Sequence, residues 1–155
     1  MSQLIDENLN LICNQNILQS ANPLITMKHS ENPYYKDNLI LQLTFEFSLA
    51  IISYSELLEE NRKYVLAKQI LRAGTSIGAN VKEAQNAESK ADFIHKLKIA
   101  AKEADEMEYW LQLCNQHESY PNTEKLIEQL NSILKVLTKI IASSKNKSTN
   151  NHKIR

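Results

Sequence analysis

The sequence predicts an all-α protein, an antiparallel up-down-up-down bundle of four helices with a left-handed twist. Apolar residues recur at alternating spacings of three and four in four successive segments, the period of helices that pack along a seam. The 155 residues include only 2 glycines and 3 prolines, and every proline lies outside those segments. The links between segments are short, so neighbouring helices must run antiparallel.

The first segment runs from residue 38 to about residue 58. Its apolar stripe comprises Leu39, Ile40, Leu43, Phe47, Ala50, Ile51, Tyr54, Leu57 and Leu58. Within it, residues 41–49 alternate apolar and polar, which also suits a half-buried strand. We prefer the helix because the stripe continues past Ser48 and no other segment offers a partner strand.

The second segment, residues 62–86, carries both glycines, Gly74 and Gly78. Its apolar face comprises Leu66, Ile70, Ala73, Ile77, Val81 and Ala84. A glycine inside a helix costs about 1 kcal/mol relative to alanine, so two of them need an offsetting reason. Because Gly74 and Gly78 share one side of the helix with the small residues Ala73 and Ser76, we predict that a second helix approaches closely there.

Two further helices complete the bundle. Ser89, with Asp92 three residues later, resembles a capping box and predicts the start of the third helix. Its apolar stripe comprises Phe93, Leu97, Ala100, Ala104, Met107, Leu111 and Cys114. The pattern breaks around Pro121 and resumes in the fourth helix, with Leu126, Ile127, Leu130, Ile133, Leu134, Leu137, Ile140 and Ile141. The average seam spacing of about 3.5 residues predicts shallow, left-handed packing.

Composition divides the chain into three regions. Residues 38–142 form the predicted bundle. Residues 1–37 are rich in Asn and form an N-terminal extension, in which residues 4–18 fit a short amphipathic helix and the remainder fits disorder. Residues 143–155 form a basic tail, predicted to be disordered. The tail is either a solubilising segment or a contact for RNA phosphates, made by Lys145, Lys147, Lys153 and Arg155.

Several classes of protein are disfavoured. The formal net charge is zero, so no overall field draws the protein to nucleic acid or to a membrane surface. No stretch approaches the roughly 18 apolar residues of a membrane span, and Asp6 and Glu7 replace the basic residues of a secretory signal. Cys13 and Cys114 are isolated, so the sequence suggests neither a disulfide framework nor a zinc site. We predict a cytoplasmic protein with no membrane association, in which Cys114 is an inert core thiol.

A polar stripe runs along the second helix, comprising Gln69, Arg72, Ser76, Asn80 and Glu83. If the second and third helices form a hairpin that turns near residue 88, Arg72 lies opposite Ala104. We therefore predict that Arg72 pairs with Glu103 or Glu106 at a partly buried interface. The stripe is either a structural ion pair that fixes helix register, or a surface for a ligand or a partner.

No pattern in the chain predicts catalysis. The third helix carries Glu103, Asp105, Glu106 and Glu108. A di-metal bundle needs a Glu-x-x-His motif, and neither His95 nor His117 stands three residues after a Glu. Nucleophile elbows, phosphate loops and metalloprotease helices are also missing from the sequence. We predict a protein that is not an enzyme and uses no metal or cofactor.

Residues 66–113 hold a distinctive combination: Gln69, Leu71, Arg72, Thr75, Ser76, Ile77, Ala79, Asn80, Glu83, Ala84, Ser89, Phe93, Lys102, Glu103, Trp110 and Leu111. It resembles the bacterial four-helix bundle proteins encoded by intervening sequences within 23S ribosomal RNA genes. With the flanking helices the resemblance covers roughly residues 38–142. It implies a homo-oligomer, a ring of five, without assigned catalytic activity. The family is similar in turn to another bundle, the accessory protein of diversity-generating retroelements. That similarity implies a ring that binds nucleic acid and a reverse transcriptase.

These observations lead to three functional hypotheses. The first is a non-enzymatic, homo-oligomeric bundle that is RNA-associated or acts as a scaffold. Tyr109 and Trp110 are its candidate interface residues, although a core position suits Trp110 equally well. The second is an accessory subunit for a protein partner such as a reverse transcriptase. The third is a bundle that binds a small ligand through the polar stripe.

Overall fold

The computed structural model describes residues 38–149, and four long helices contain most of them. They are α1 (Leu39–Glu60), α2 (Tyr64–Ala84), α3 (Lys90–Gln116) and α4 (Glu124–Thr149). Each helix packs against the next, and α1 packs against α4, so the contacts close a ring of four. This arrangement confirms the all-α class and agrees with an up-down bundle, while the left-handed twist stays a prediction.

Side chains and backbone groups define the helix ends. The Asn38 side chain accepts a hydrogen bond from the backbone N–H of Leu41 (3.4 Å), which caps α1. Ser89 accepts one from the N–H of Asp92 (3.1 Å), which confirms the predicted start of α3. Between α1 and α2, Arg62 adopts a left-handed conformation with φ of 60°, a feature that the short polar link did not predict.

The four apolar stripes meet in one core. Its fully buried large side chains are Phe47, Ile51, Tyr54, Leu58, Ile70, Ile77, Leu97, Met107, Leu111, Leu130, Ile133 and Leu137. The alternating residues 41–49 are helical, as the sequence analysis preferred. Leu39 is a correction, because it is the first residue of α1 and is 58% exposed, whereas Leu41 and Thr44 occupy core positions.

The close approach predicted at the two glycines occurs between α1 and α2. A Cβ atom on Gly74 would lie 2.7 Å from Ile51 Cγ2, and one on Gly78 would lie 3.2 Å from Ser48 Oγ. Ala73 is fully buried in the core beside them. Ser76 is half-buried, and its backbone oxygen accepts a hydrogen bond from Asn80 Nδ2 (2.9 Å). The glycines thus allow α1 and α2 to pack with little space between their backbones.

A buried polar cluster ties the α3–α4 loop to the bundle. Tyr54 Oη donates a hydrogen bond to the backbone oxygen of Pro121 (3.0 Å). Thr123 Oγ1 donates one to the backbone oxygen of Leu111 (2.8 Å), and its side chain is buried with them. Cys114 is buried, which confirms its predicted core position, and this burial raises the pKa of its thiol.

The described chain ends differ from the predicted boundaries. α4 continues to Thr149, past residue 142, so residues 143–149 are helical. The sequence analysis placed them in a disordered tail, but they contain no Gly or Pro that would stop a helix already formed. The predictions for residues 1–37 and for the last part of the tail lie outside the described residues. None of the four helices combines the length and hydrophobicity that a membrane crossing requires.

Candidate assembly surface on the second and third helices

Arg72 is the centre of an ion-pair network between α2 and α3. Its Nη1 lies 3.4 Å from Glu103 Oε2, and its Nη2 contacts Glu106 Oε1. The predicted pairing is therefore confirmed, and it involves both carboxylates rather than one. The Arg72 side chain is 52% exposed, so the network lies closer to the surface than the sequence analysis proposed.

Glu106 is held by two donors. Besides Arg72, the indole Nε1 of Trp110 donates a hydrogen bond to Glu106 Oε1 (3.2 Å). The hydrogen bond from Arg72, followed by that from Trp110, holds the pKa of Glu106 below its usual range. The hydrogen bond to Glu106 and its charge raise the pKa of Arg72. Both groups are consequently charged throughout the physiological range.

Of the remaining residues in the polar stripe, Glu83 also contacts α3. Glu83 Oε2 lies 2.6 Å from Lys96 Nζ, which makes a second ion pair near the turn of the hairpin. The Asn80 side chain bonds within α2, and Gln69 is half-buried nearer the start of that helix. Ion pairs thus link α2 to α3 at two levels, which agrees with the structural interpretation of the stripe, while its interpretation as a ligand or partner surface stays a prediction.

Beyond Arg72, towards the start of α2 and the end of α3, the same seam becomes apolar. Val65 stands seven residues before Arg72, and Leu113 seven after Glu106, so both continue the faces that carry the ion pairs. Val65 is 80% exposed and Leu113 is 42% exposed. The seam therefore ends in apolar side chains that the single chain leaves in water.

Two aromatic residues extend this surface. Tyr109 is 56% exposed, and its ring meets that of Trp110 edge-on with centroids 5.2 Å apart. Trp110 is half-buried and packs against the margin of the core, which agrees with its predicted core position, while its role at an interface stays a prediction. We call Val65, Tyr109, Trp110 and Leu113 the apolar patch. Val65 and Leu113 were not among the predicted interface residues, although their seven-residue spacing from the predicted ion pair was a usable signal.

The candidate nucleic-acid residues are only partly described. Lys145 lies on α4 with an exposed side chain, and the backbone of Lys147 is in the same helix. Lys153 and Arg155 lie outside the described residues. Across residues 38–149, no three His, Cys, Asp or Glu side chains are grouped so that they could hold a metal ion.

Two comparisons with known proteins, one with family models and one with solved structures, agree with each other. The family model of the 23S rRNA-intervening sequence protein matches residues 36–139. A solved structure with 43% sequence identity superimposes with a TM-score of 0.64 and covers 66% of this chain and 98% of its own. It is a protein of unknown function from the S23 ribosomal protein family of Bacteroides thetaiotaomicron VPI-5482. No curated protein matches the chain.

Proposed function

The chain belongs to the 23S rRNA-intervening sequence protein family, and from this premise we propose that it is a non-enzymatic scaffold that assembles with copies of itself. We place it in the cytoplasm, without a metal or a cofactor. The resemblance drawn from residues 66–113 supports a ring of five copies. The interior of the bundle is filled by apolar side chains. A binding function therefore has to involve the surface of the bundle.

The observation that carries this proposal is the exposure of the apolar patch. Exposed aliphatic side chains are ordinary when scattered, but the apolar patch has four members along one helix seam and two of them are aromatic, which is typical of an interface. Tyr and Trp contribute most to such interfaces because they bury a large area with few rotatable bonds. A second copy that covered Val65 and Tyr109 would remove from water the most exposed members of the patch.

The ion-pair network supports the same conclusion. Arg72, Glu103 and Glu106 adjoin the patch and are partly exposed, which is the usual position of charged groups at the rim of an interface. Arginine is enriched at interfaces because its planar guanidinium offers several donors while its aliphatic stem packs against apolar surface. The patch and the network together form a surface with an apolar centre and a charged margin.

Light scattering on the purified protein tests the assembly. The double variant Val65→Glu, Leu113→Glu places carboxylates in the patch at exposed positions, so we expect the helical content to be kept and the particle mass to fall to that of one chain. Leu39→Glu is the matched control, because Leu39 is similarly exposed but lies at the start of α1. A mass that is the same in the double variant and the control would contradict an interface at the patch.

RNA association is a second candidate, supported by the distribution of charge. Although the net charge is zero, no acidic residue follows Glu128. The cations of this C-terminal part are Lys135, Lys139, Lys145, Lys147, Lys153 and Arg155. Lys135, Lys139 and Lys145 are exposed on α4, so a helical surface rather than a tail alone presents them. Local cationic surfaces of this kind bind phosphates with release of counterions.

Absorbance at 260 and 280 nm across the light-scattering peak tests this second candidate. Nucleic acid that leaves the particle as the salt concentration rises would support RNA association. Deleting residues 143–155 should weaken retention, and Lys135→Gln with Lys139→Gln should weaken it further. Protein that elutes free of nucleic acid at low salt would remove this candidate and leave the scaffold.

A further inference from the structure

A groove of about 270 Å³ runs along the side of the bundle between α1 and α2, away from the apolar patch. We call it the α1–α2 groove. Its lining residues are Leu41, Thr44, Phe45 and Ser48 from α1 and Thr75, Gly78, Ala79 and Lys82 from α2. Gly78 contributes no side chain to the groove, and a Cβ atom there would lie 3.2 Å from Ser48 Oγ on α1. The shape is that of a trough for another chain segment rather than an enclosed ligand cavity.

The hydroxyl groups in the groove are turned towards their own helices. Thr44 Oγ1 donates to the backbone oxygen of Ile40 (2.8 Å), and Ser48 Oγ donates to that of Thr44 (2.8 Å). Thr75 Oγ1 likewise donates to the backbone oxygen of Leu71 (2.7 Å). Because these donors are satisfied within α1 and α2, the groove presents methyl and methylene groups to an occupant. Its preferred occupant is therefore apolar.

The apolar surface continues along the same two helices. Ile52 stands seven residues after Phe45, and Leu71 stands four before Thr75; they are 39% and 36% exposed. From Leu41 to Ile52 the helix rises about 17 Å at 1.5 Å per residue, which equals roughly three turns of a further helix. The groove and its apolar continuation can therefore contact about three turns of an amphipathic helix.

We propose that the α1–α2 groove binds residues 4–18 of the same chain. The inference is independent of assembly through the apolar patch. Asn38 precedes α1, and its Nδ2 donates a hydrogen bond to Gln85 Oε1 at the end of α2 (2.9 Å). The preceding residues therefore join the bundle at the end of the groove where Leu41 and Lys82 lie.

Length and composition agree with this occupant. Residues 19–37 can extend by roughly 60 Å at about 3.3 Å per residue, several times the distance that docking needs. Residues 4–18 place Ile5, Leu9 and Ile12 at spacings of four and three, which makes an apolar stripe if they form a helix. They include Asp6 and Glu7 but no Lys or Arg, whereas the charged residue lining the groove is Lys82. Residues 4–18 therefore match the lining of the α1–α2 groove in apolar character and are opposite to it in charge.

The two glycines provide a direct test. Protein labelled with ¹⁵N-glycine gives two backbone amide signals, one from Gly78 in the groove and one from Gly74 in the core. The full chain is compared with a chain that lacks residues 1–37. The Bacteroides relative forms this bundle with almost no further residues, so the shortened chain is expected to fold. We expect a clear shift of the Gly78 signal and a smaller shift of the Gly74 signal.

A substitution in the full chain makes the test independent of truncation. Ala79→Glu places a charge in the groove at an exposed helical position, and Ala142→Glu makes the same change at an exposed position of α4. We expect the N-terminal residues to be cleaved faster by protease in Ala79→Glu than in Ala142→Glu. Equal cleavage, or a Gly78 signal that is the same with and without residues 1–37, would overturn the proposal. A Gly78 shift that is lost on dilution would also overturn it, since the occupant would then come from a neighbouring copy.

Discussion

Gly74 and Ile51 are packed so closely that no side chain fits between them. A Cβ atom on Gly74 would lie 2.7 Å from Ile51 Cγ2 and 2.9 Å from its Cγ1. Ile51 is fully buried, so it cannot move aside without disturbing the core. Gly78 differs, because its Cβ would lie 3.2 Å from the hydroxyl of Ser48 and 3.4 Å from the backbone oxygen of Thr44.

This difference predicts opposite tolerance at the two glycines. Gly74→Ala should lower the free energy of unfolding by about 1–3 kcal/mol, since overpacking outweighs the gain of about 1 kcal/mol in helix propensity. Gly78→Ala should change it by less than about 1 kcal/mol, because the half-buried Ser48 can adjust. Urea unfolding measures both variants. Equal losses would show that the distance to Ile51 does not determine stability.

Arg62 offers a stabilising substitution. With φ of 60° it occupies the left-handed region, where a Cβ atom is unfavourable and glycine is not. Arg62→Gly should therefore raise the free energy of unfolding by about 0.5–1 kcal/mol, measured by urea or thermal unfolding.

The neighbouring residue is the matched control for that prediction. Asn61 has φ of −86°, and its Nδ2 donates to the backbone oxygen of Leu57 (2.8 Å). Asn61→Gly gains nothing from backbone freedom and loses this bond, so it should destabilise the protein. If Arg62→Gly also destabilised it, the side chain of Arg62 would matter more than its backbone conformation.

Arg72→Met tests which role the ion-pair network serves. Exposed ion pairs contribute about 0–1 kcal/mol, so the helical content should be unchanged and the stability nearly so. The particle mass should fall if Arg72 contributes to the rim of an assembly interface. The Glu106 pKa should rise, because its strongest donor has been removed. Circular dichroism, light scattering and NMR titration measure these three effects.

Lys96→Met is the control for Arg72→Met. It removes the ion pair with Glu83 near the turn of the hairpin, on the same seam but far from the apolar patch. Its particle mass should equal that of the unaltered protein. An unfolded Arg72→Met product would instead assign the network a purely structural role.

Stability should decline in alkaline solution. Burial raises the pKa of the Cys114 thiol above its ordinary 9.0 and that of Tyr54 above its ordinary 10.0. Above pH 9 the unfolded chain releases protons that the folded protein retains, so the free energy of unfolding falls as the pH rises. Below pH 8 both groups are protonated in either state and contribute no such dependence.

Urea unfolding at pH 8 and at pH 10 measures this decline. Cys114→Val removes the buried thiol and should make the difference between the two pH values smaller. If the variant lost as much stability as the unaltered chain, the alkaline effect would have to come from other groups.

Periodicity was sufficient to predict the four helices, because each apolar stripe continues for more than about four turns. Ser89 marked a helix start through its own side chain, and Arg72 met its carboxylates because a hairpin fixes which residues are opposite. These are local or register-based relationships. The left-handed Arg62 gave no signal, since any residue type can occupy that position at moderate cost. The glycines predicted the close approach of a second helix but not which helix it is, so the α1–α2 groove was not predicted.

The Tyr54–Pro121 hydrogen bond has a consequence for the order of folding. It joins residues 67 positions apart, whereas the α1–α2 and α2–α3 contacts arise within single hairpins. Contacts between distant parts of a chain carry the larger loop-closure cost, so this one is expected to form after the hairpins. Tyr54→Phe should then accelerate unfolding while leaving the refolding rate almost unchanged. A bond at one end of the bundle would in this way determine how long the native state survives rather than how quickly it is reached.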